Sequence, residues 1–95
     1  MISVIIPTLD EQGVIGQEVA ALLAQSTPCE IIVVDGGSRD ATPAIVRSFG
    51  PPVHFLAQDP SGPPGRAAAY NQAARCARGD ILLFLHADTR LPANG

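Results

Sequence analysis

Acidic side chains stand at the ends of three of the four strongly apolar runs in this 95-residue sequence. Asp10 and Glu11 follow the first run, Asp35 ends the second, and Asp88 comes shortly after the fourth. If the runs are parallel strands, their carboxyl ends open onto one crevice, which is where such sheets bind ligands. The sequence therefore predicts a ligand site that is rich in carboxylates.

Asp88 is the residue that points most directly to chemistry. A carboxylate at a strand end suits Mg²⁺ or Mn²⁺ held jointly with the phosphates of a substrate, because these ions usually take only one or two protein carboxylates. His86, two residues earlier, could be a ligand, a hydrogen-bond partner or simply a strand-end residue, and the last interpretation is favoured.

Asp35 and Arg66 are candidates for binding the organic part of a ligand. Asp35 is followed by two glycines, so it could accept hydrogen bonds from a ribose or a base N–H while the backbone approaches closely. The alternative is a turn-forming role, because Asp-Gly is a common turn pair. Arg66 stands beside a glycine-rich loop, where it could meet a phosphate or the ring of a base, or could simply be solvated.

Asp10 and Glu11 limit what the ligand can be. A dinucleotide-binding unit has a glycine-rich turn after its first strand, where a helix N-terminus holds a pyrophosphate. Carboxylates at this turn would repel a diphosphate placed there, so the dinucleotide interpretation is weak. Both residues also suit the start of a helix, Asp10 as an N-cap and Glu11 in the first turn. Ser38 and Asp40 are likewise interpreted as helix-capping residues.

The strands that position these side chains are predicted from the hydrophobic pattern. Four short apolar runs are interpreted as strands: Ile2–Ile6, which Pro7 closes, Glu30–Asp35, Val53–Leu56 and Ile81–Leu85. Continuous apolar runs of this length are typical of strands buried on both faces, as in parallel sheets.

Three segments between the strands have the spacing of helices. The first has apolar residues on one face from Ile15 to Leu23. The second begins at Thr42-Pro43 and ends before Gly50. The third, Arg66–Arg78, has a face of small alanines that predicts close approach to the sheet, and Gly79 is expected to end it.

The resulting order, β-α-β-α-β-α-β, predicts an α/β fold with right-handed crossovers and an open, mainly parallel sheet. Residues 1–95 are expected to form a single domain, and Gln58–Gly65 is the only long irregular loop in this prediction.

Composition and charge exclude several classes of function. The chain is 46% apolar and has a net charge of −3, the wrong sign for a protein held mainly by nucleic-acid phosphates. It has no Lys, which excludes a Walker-type P-loop and Schiff-base chemistry. No run is long enough to span a membrane and no signal peptide is recognisable, so a cytoplasmic location is predicted. Cys29 and Cys76 are expected to be reduced thiols.

Four motifs together resemble family 2 glycosyltransferases. The opening, Ser3–Glu11, resembles S-V-I-I-P-T-x-N-E, with Asp10 where Asn is usual. The segment from Ile31 to Thr42 resembles I-I-V-V-D-x-x-S-x-D-x-T, and Gly65–Asp80 resembles the G-x-x-x-A-x-N helix followed by Gly-Asp. Asp88 falls on the last acid of the DxD motif. The local sequences Asp35–Ser38 and Leu85–Pro92 resemble those of one bacterial branch of this family. That branch is named for its association with radical-SAM and selenium-related genes.

The resemblance implies a GT-A fold and transfer of a sugar from a UDP- or GDP-linked donor to an unidentified acceptor. By this resemblance the donor would be bound by Pro7, Thr8, Glu11, Asp35, Arg66 and Asp88, and Asp88 would hold a Mn²⁺ or Mg²⁺ ion that bridges the diphosphate. His86 replaces the first acid of DxD, so a single acid remains there.

No residue of this chain is assigned as the catalytic base, because the resemblance places that carboxylate in an acceptor-binding half beyond Gly95. The chain is therefore expected to be the truncated, donor-binding part of an enzyme, weakly stable or self-associating through an uncovered sheet edge. Two alternatives stay open: a non-catalytic nucleotide-binding module and a nucleotidyltransferase. Asp10 and Glu11 argue against the second, which would need a basic, glycine-rich loop for a triphosphate.

Overall fold

A computed structural model describes residues 1–25, 29–63 and 65–85. Four strands alternate with three helices in the predicted order. The strands are β1 (Ile2–Thr8), β2 (Cys29–Asp35), β3 (Val53–Ala57) and β4 (Ile81–Phe84), and the helices are α1 (Ile15–Leu23), α2 (Thr42–Arg47) and α3 (Arg66–Cys76). Among the described residues, no helix has the length and apolar character needed to cross a membrane.

The strands form one parallel sheet in the order β3-β2-β1-β4, which confirms the predicted α/β architecture. The chain moves outward from β1 to β3 and then crosses back, so that β4 pairs with the other side of β1. Such a reversal of strand order leaves a crevice at the carboxyl ends, where open α/β sheets bind their ligands.

The central strands β1 and β2 are buried on both faces, as their continuous apolar runs predict. The same prediction is wrong for β4, whose four residues are all exposed, and β3 is only partly buried. On one face, side chains of α1 and α2 pack against alternate residues of β1 and β2; these core residues are Val4, Ile6, Ile31, Val33, Ile15, Val19, Leu22 and Val46. On the other face, Ala69 and Ala73 of α3 pack against Ile5, Ile32 and Val34. Because the buried residues of α3 are alanines, the helix can approach the sheet closely, as predicted.

Pro7 does not close β1, which continues to Thr8 in register with β2. The prediction treated proline as a strand terminator because it cannot donate a hydrogen bond to a ladder. Among the described residues, β4 pairs with β1 from Ile2 to Ile5, so the missing N–H of Pro7 lies beyond that paired stretch. The extra length carries Thr8 level with Asp35.

Gly79 was predicted to end α3, but the structure gives it a different role. Helix α3 ends at Cys76, and Ala77 is already extended. A Cβ atom on Gly79 would lie 2.5 Å from Ser3 Oγ and 2.7 Å from the carbonyl oxygen of Met1. Glycine is required here because the chain entering β4 crosses directly against β1.

A buried carboxylate holds this crossing in place. Ser3 Oγ donates to Glu30 Oε1 (2.7 Å) and accepts from the N–H of Gly79 (2.8 Å), while the N–H of Arg78 donates to the same Glu30 oxygen (2.6 Å). The Arg78 bond is the largest cause that lowers the pKa of Glu30; burial opposes it and the Ser3 bond assists it. The charged form of Glu30 therefore ties the start of β4 to β1 and β2.

Substitution of Gly79 by Ala is expected to destabilise the fold, because neither the backbone of Ser3 nor that of Met1 can move without disturbing β1. The loss in the free energy of unfolding should be about 1–3 kcal/mol, as for other overpacked sites. Urea denaturation followed by circular dichroism measures it. The matched control is Gly13→Ala, where an added Cβ meets nothing within 4 Å. Equal stability of the two variants would contradict the crossing described above.

Candidate functional site

A cleft of about 930 Å³ opens at the carboxyl ends of β1, β2 and β3, beside the start of α3. Five of the six residues predicted from the sequence to bind a ligand line it: Pro7, Thr8, Glu11, Asp35 and Arg66. The remaining lining residues include Gly36, Gly37, Gln58, Asp59, Gly65 and Ala69. Asp88 and His86 lie outside the described residues, so the predicted metal ligand has no position here.

The Asp35 carboxylate forms the floor of the cleft, and four hydrogen bonds converge on it. Its Oδ1 accepts from the hydroxyls of Thr8 (2.7 Å) and Ser38, and its Oδ2 accepts from the N–H groups of Gly37 (3.0 Å) and Ser38 (2.7 Å). A carboxylate has about four acceptor positions. All of them are used within the chain, so the turn-forming interpretation of Asp35 is confirmed.

The same contacts set the charge of Asp35. Burial alone would raise the pKa of this carboxyl, which is 4% exposed, but the bonds from Ser38, Thr8 and Gly37 outweigh burial and hold the pKa below its usual value. Bonds that donate to a carboxylate favour its ionised form. Asp35 is therefore a fixed negative charge beneath the cleft.

Two loops at the rim of the cleft are joined by five hydrogen bonds, each between a backbone N–H of one loop and a side chain of the other. The β1–α1 loop donates from Asp10, Glu11 and Gln12 to Ser38, Thr42 and Asp40, and the β2–α2 loop donates from Arg39 and Ala41 to Asp10 and Gln12. Because the donors are spread over both loops, the two loops form one unit.

These bonds correct several capping predictions. Asp10 does not cap α1, whose N-cap is Val14; it has φ +54° and its Oδ1 accepts from the N–H of Arg39. Ser38 does not cap α2 but links the Asp10 N–H to Asp35. Asp40 does accept from the Thr42 N–H, close to the predicted role. Local sequence favours caps for these residue types, and the neighbouring loop provides competing partners.

Two glutamines hold the opposite wall of the cleft, the loop from Gln58 to Gly65. Gln72 of α3 donates to the carbonyl of Ala57 (2.9 Å) and accepts from the N–H of Asp59 (2.8 Å). Gln58 donates through Nε2 to the carbonyl of Gly65 (3.1 Å). Sequence reasoning missed both residues, since a glutamine in a loop or on a helix has no distinctive spacing.

Charge in the cleft is mixed. Glu11 and Asp35 lie on the side of β1 and β2, and Arg66 opens α3 on the other side. Within the described ranges, no three His, Cys, Asp or Glu side chains converge as a metal cage. An ion that shares its ligands with substrate phosphates needs only one or two protein carboxylates, so the donor set is compatible with such an ion.

Acid is expected to destabilise the chain partly through Asp35. Because its native pKa lies below the unfolded value of about 3.9, its contribution is complete above that value and is lost as pH falls through the native pKa. Asp35→Asn should be less stable than the wild type at pH 7, and its stability should fall less steeply between pH 5 and 2. Urea denaturation over that pH series measures both effects. Equal slopes for the wild type and Asp35→Asn would contradict the role of Asp35.

Solved structures share the overall fold of this chain. The chain superimposes with a TM-score of 0.81 and 32% identity on a mannosyltransferase from Pyrobaculum calidifontis in complex with GDP-Man and Mn²⁺, covering 96% of this chain and 28% of that one. It also superimposes, with a TM-score of 0.78 and 27% identity, on glucosyl-3-phosphoglycerate synthase from Mycobacterium tuberculosis with Mn²⁺, UDP and glucosyl-3-phosphoglycerate, covering 93% and 33%. The expected GT-A fold is confirmed.

Sequence comparison gives the same result. The 4,4'-diaponeurosporenoate glycosyltransferase of Staphylococcus haemolyticus is 36% identical over 92 residues, which is 95% of this chain and 24% of that protein. The chain thus spans about a quarter of the length of this relative. A sequence profile described as "Glycosyl transferase family 2" matches residues 3–94. With the motifs, the cleft and the sheet order in agreement, the chain belongs to glycosyl transferase family 2.

Proposed function

We propose that residues 1–95 form the donor-binding part of a glycosyltransferase that transfers a sugar from a UDP- or GDP-linked donor to an acceptor. The observation that carries this proposal is the cleft itself, which brings Pro7, Thr8, Glu11, Asp35 and Arg66 together from three separate segments of the chain. Related structures that contain UDP or GDP-Man with Mn²⁺ support the same class of ligand.

Different residues of the cleft would bind different parts of the donor. Pro7 and Thr8 would form one wall, and Asp35 would shape the floor through the turn that it fixes. Arg66, at the mouth of the cleft, would offer a guanidinium to a phosphate or to the face of a base. Glu11 would face the ribose or sugar side, where a carboxylate can accept hydrogen bonds from hydroxyl groups.

A divalent cation fits this proposal because Glu11 and Asp35 make one side of the cleft too negative to hold a diphosphate unaided. Asp88 would be the protein ligand of Mn²⁺ or Mg²⁺. Once bound, the ion supplies Lewis-acid stabilisation of the departing nucleoside diphosphate. The chain's own described residues would hold the nucleoside.

The acceptor and the catalytic base are not assigned to residues of this chain. A general base must reach the acceptor hydroxyl within hydrogen-bond distance, and none of the cleft carboxylates is proposed for this role. The assignment to the radical-SAM-associated branch and the cytoplasmic location both stay predictions from the sequence.

Calorimetric titration with UDP, GDP and their sugar conjugates tests the donor site. We expect binding that requires Mn²⁺ and is lost in Asp88→Ala. Arg66→Ala should weaken it about 10- to 100-fold, as expected for a charge-assisted contact. Arg75→Ala, a change to an exposed arginine near the end of α3, is the matched control and should bind like the wild type. A folded chain that binds none of these nucleotides would contradict the proposal and favour a vestigial module.

We also propose that the isolated chain self-associates through β4. This strand is at the edge of the sheet, and its four side chains, Ile81–Phe84, are all exposed. A second copy of the chain could pair with the open backbone of such an edge. Sedimentation equilibrium should show dimers at micromolar concentration, and Leu83→Lys should shift the population to monomer. Leu23→Lys, at an exposed leucine on α1, should leave it unchanged; a wild-type monomer at every concentration would refute this proposal.

A further inference from the structure

The N–H groups of the turn after β2 and the Asp35 carboxylate are already used within the chain. The N–H of Gly36 donates to the Thr8 carbonyl (2.8 Å), and the N–H groups of Gly37 and Ser38 donate to Asp35. The four acceptor positions of the Asp35 carboxylate are occupied as well. A base that entered between β2 and β3 would therefore find neither a free donor in this turn nor a free acceptor on Asp35.

Gln58 offers a free acceptor at the same place. Its backbone N–H donates to the carbonyl of Asp35 (2.7 Å), which fixes the residue directly after β3 beside the cleft floor. The atom of its amide group that lies 3.1 Å from the Gly65 carbonyl must be the nitrogen, because a carbonyl can only accept. The other atom, Oε1, is then the oxygen, and among the described residues it has no hydrogen-bond partner.

Gly36 keeps that oxygen accessible. A Cβ atom at Gly36 would lie 3.4 Å from Gln58 Oε1 and 3.5 Å from the Thr8 carbonyl. Any longer side chain at this position would fill the space in front of the amide. Gly36 and Gln58 both line the cleft, and because Gly36 has no side chain, nothing from that position covers the amide oxygen.

We propose that Gln58, through Oε1, reads the nucleobase of the donor by accepting a hydrogen bond from a ring N–H. This inference rests on the proposed function and identifies the residue that selects the base. Uracil and guanine carry a ring N–H on the edge that pairs in nucleic acids, whereas cytosine and adenine have a bare ring nitrogen there. A fixed acceptor that faces this edge favours uracil or guanine. With cytosine or adenine, the amide oxygen would face a ring nitrogen that is also an acceptor.

The test compares UDP with CDP, and GDP with ADP, by calorimetric titration of the 95-residue chain in the presence of Mn²⁺. The wild type should prefer the ring N–H member of whichever pair it binds. Gln58→Met removes the amide at nearly constant length, and it should lower that preference about tenfold, chiefly through weaker binding of UDP or GDP. Gln58→Glu retains an acceptor but cannot donate to Gly65, so its preference should fall between the two.

Gln72→Met is the matched control. Gln72 supports the same loop, but both atoms of its amide group already have backbone partners. Its loss should change the affinity for both members of a pair alike and preserve their ratio. Circular dichroism shows that each variant is folded.

The outcomes separate the two proposals. A wild-type chain that binds no nucleotide would overturn the proposed function and this assignment with it. Nucleotide binding without a preference, or with a preference that survives both Gln58 variants, would overturn the role of Gln58 alone. A preference that Gln72→Met abolishes equally would show that loop position, and not the Gln58 oxygen, selects the base.

Discussion

The hydrogen bonds on the Asp35 carboxylate join parts of the molecule that are distant along the chain. Thr8 reaches it from the end of β1, and Ser38 links it to the backbone of Asp10 in the β1–α1 loop. The Gly36–Ser38 turn closes around its other oxygen. The turn after β2, the contact of Ser38 with the β1–α1 loop and the negative charge of the floor all depend on this one ionised group.

Strands β1 and β2 carry a hydroxyl–carboxylate pair at each end. Ser3 and Glu30 are neighbours in the β1–β2 register, as are Thr8 and Asp35. In both pairs a hydroxyl donates to a carboxylate oxygen at a distance of 2.7 Å. In both, hydrogen bonds lower the pKa of the carboxyl group. One pair binds the chain that enters β4 and the other shapes the cleft, so the central strands are anchored at both ends while their middle is purely apolar.

Much of the architecture could be predicted because it depends on local signals. The apolar runs, the helical spacing and the acids at strand ends give the sheet and collect most of the site residues. The errors concern residues whose role is set by distant partners. Asp10 and Ser38 were predicted to cap helices because residues of these types favour such positions. Gly79 was predicted to end a helix because Ser3, the residue it crosses, is 76 positions away in the sequence. Gln58 and Gln72 have no local signal, since each is defined by the backbone that it holds.

The five hydrogen bonds between the two rim loops limit how the sequence of the cleft can diversify. Each of these bonds pairs a backbone N–H of one loop with a side chain of the other, so an insertion in either loop would misalign all of them. These two loops can only diverge together. The wall from Gln58 to Gly65 is tied down by single amide groups, which makes it the part of the cleft where new ligand preferences can evolve through individual substitutions.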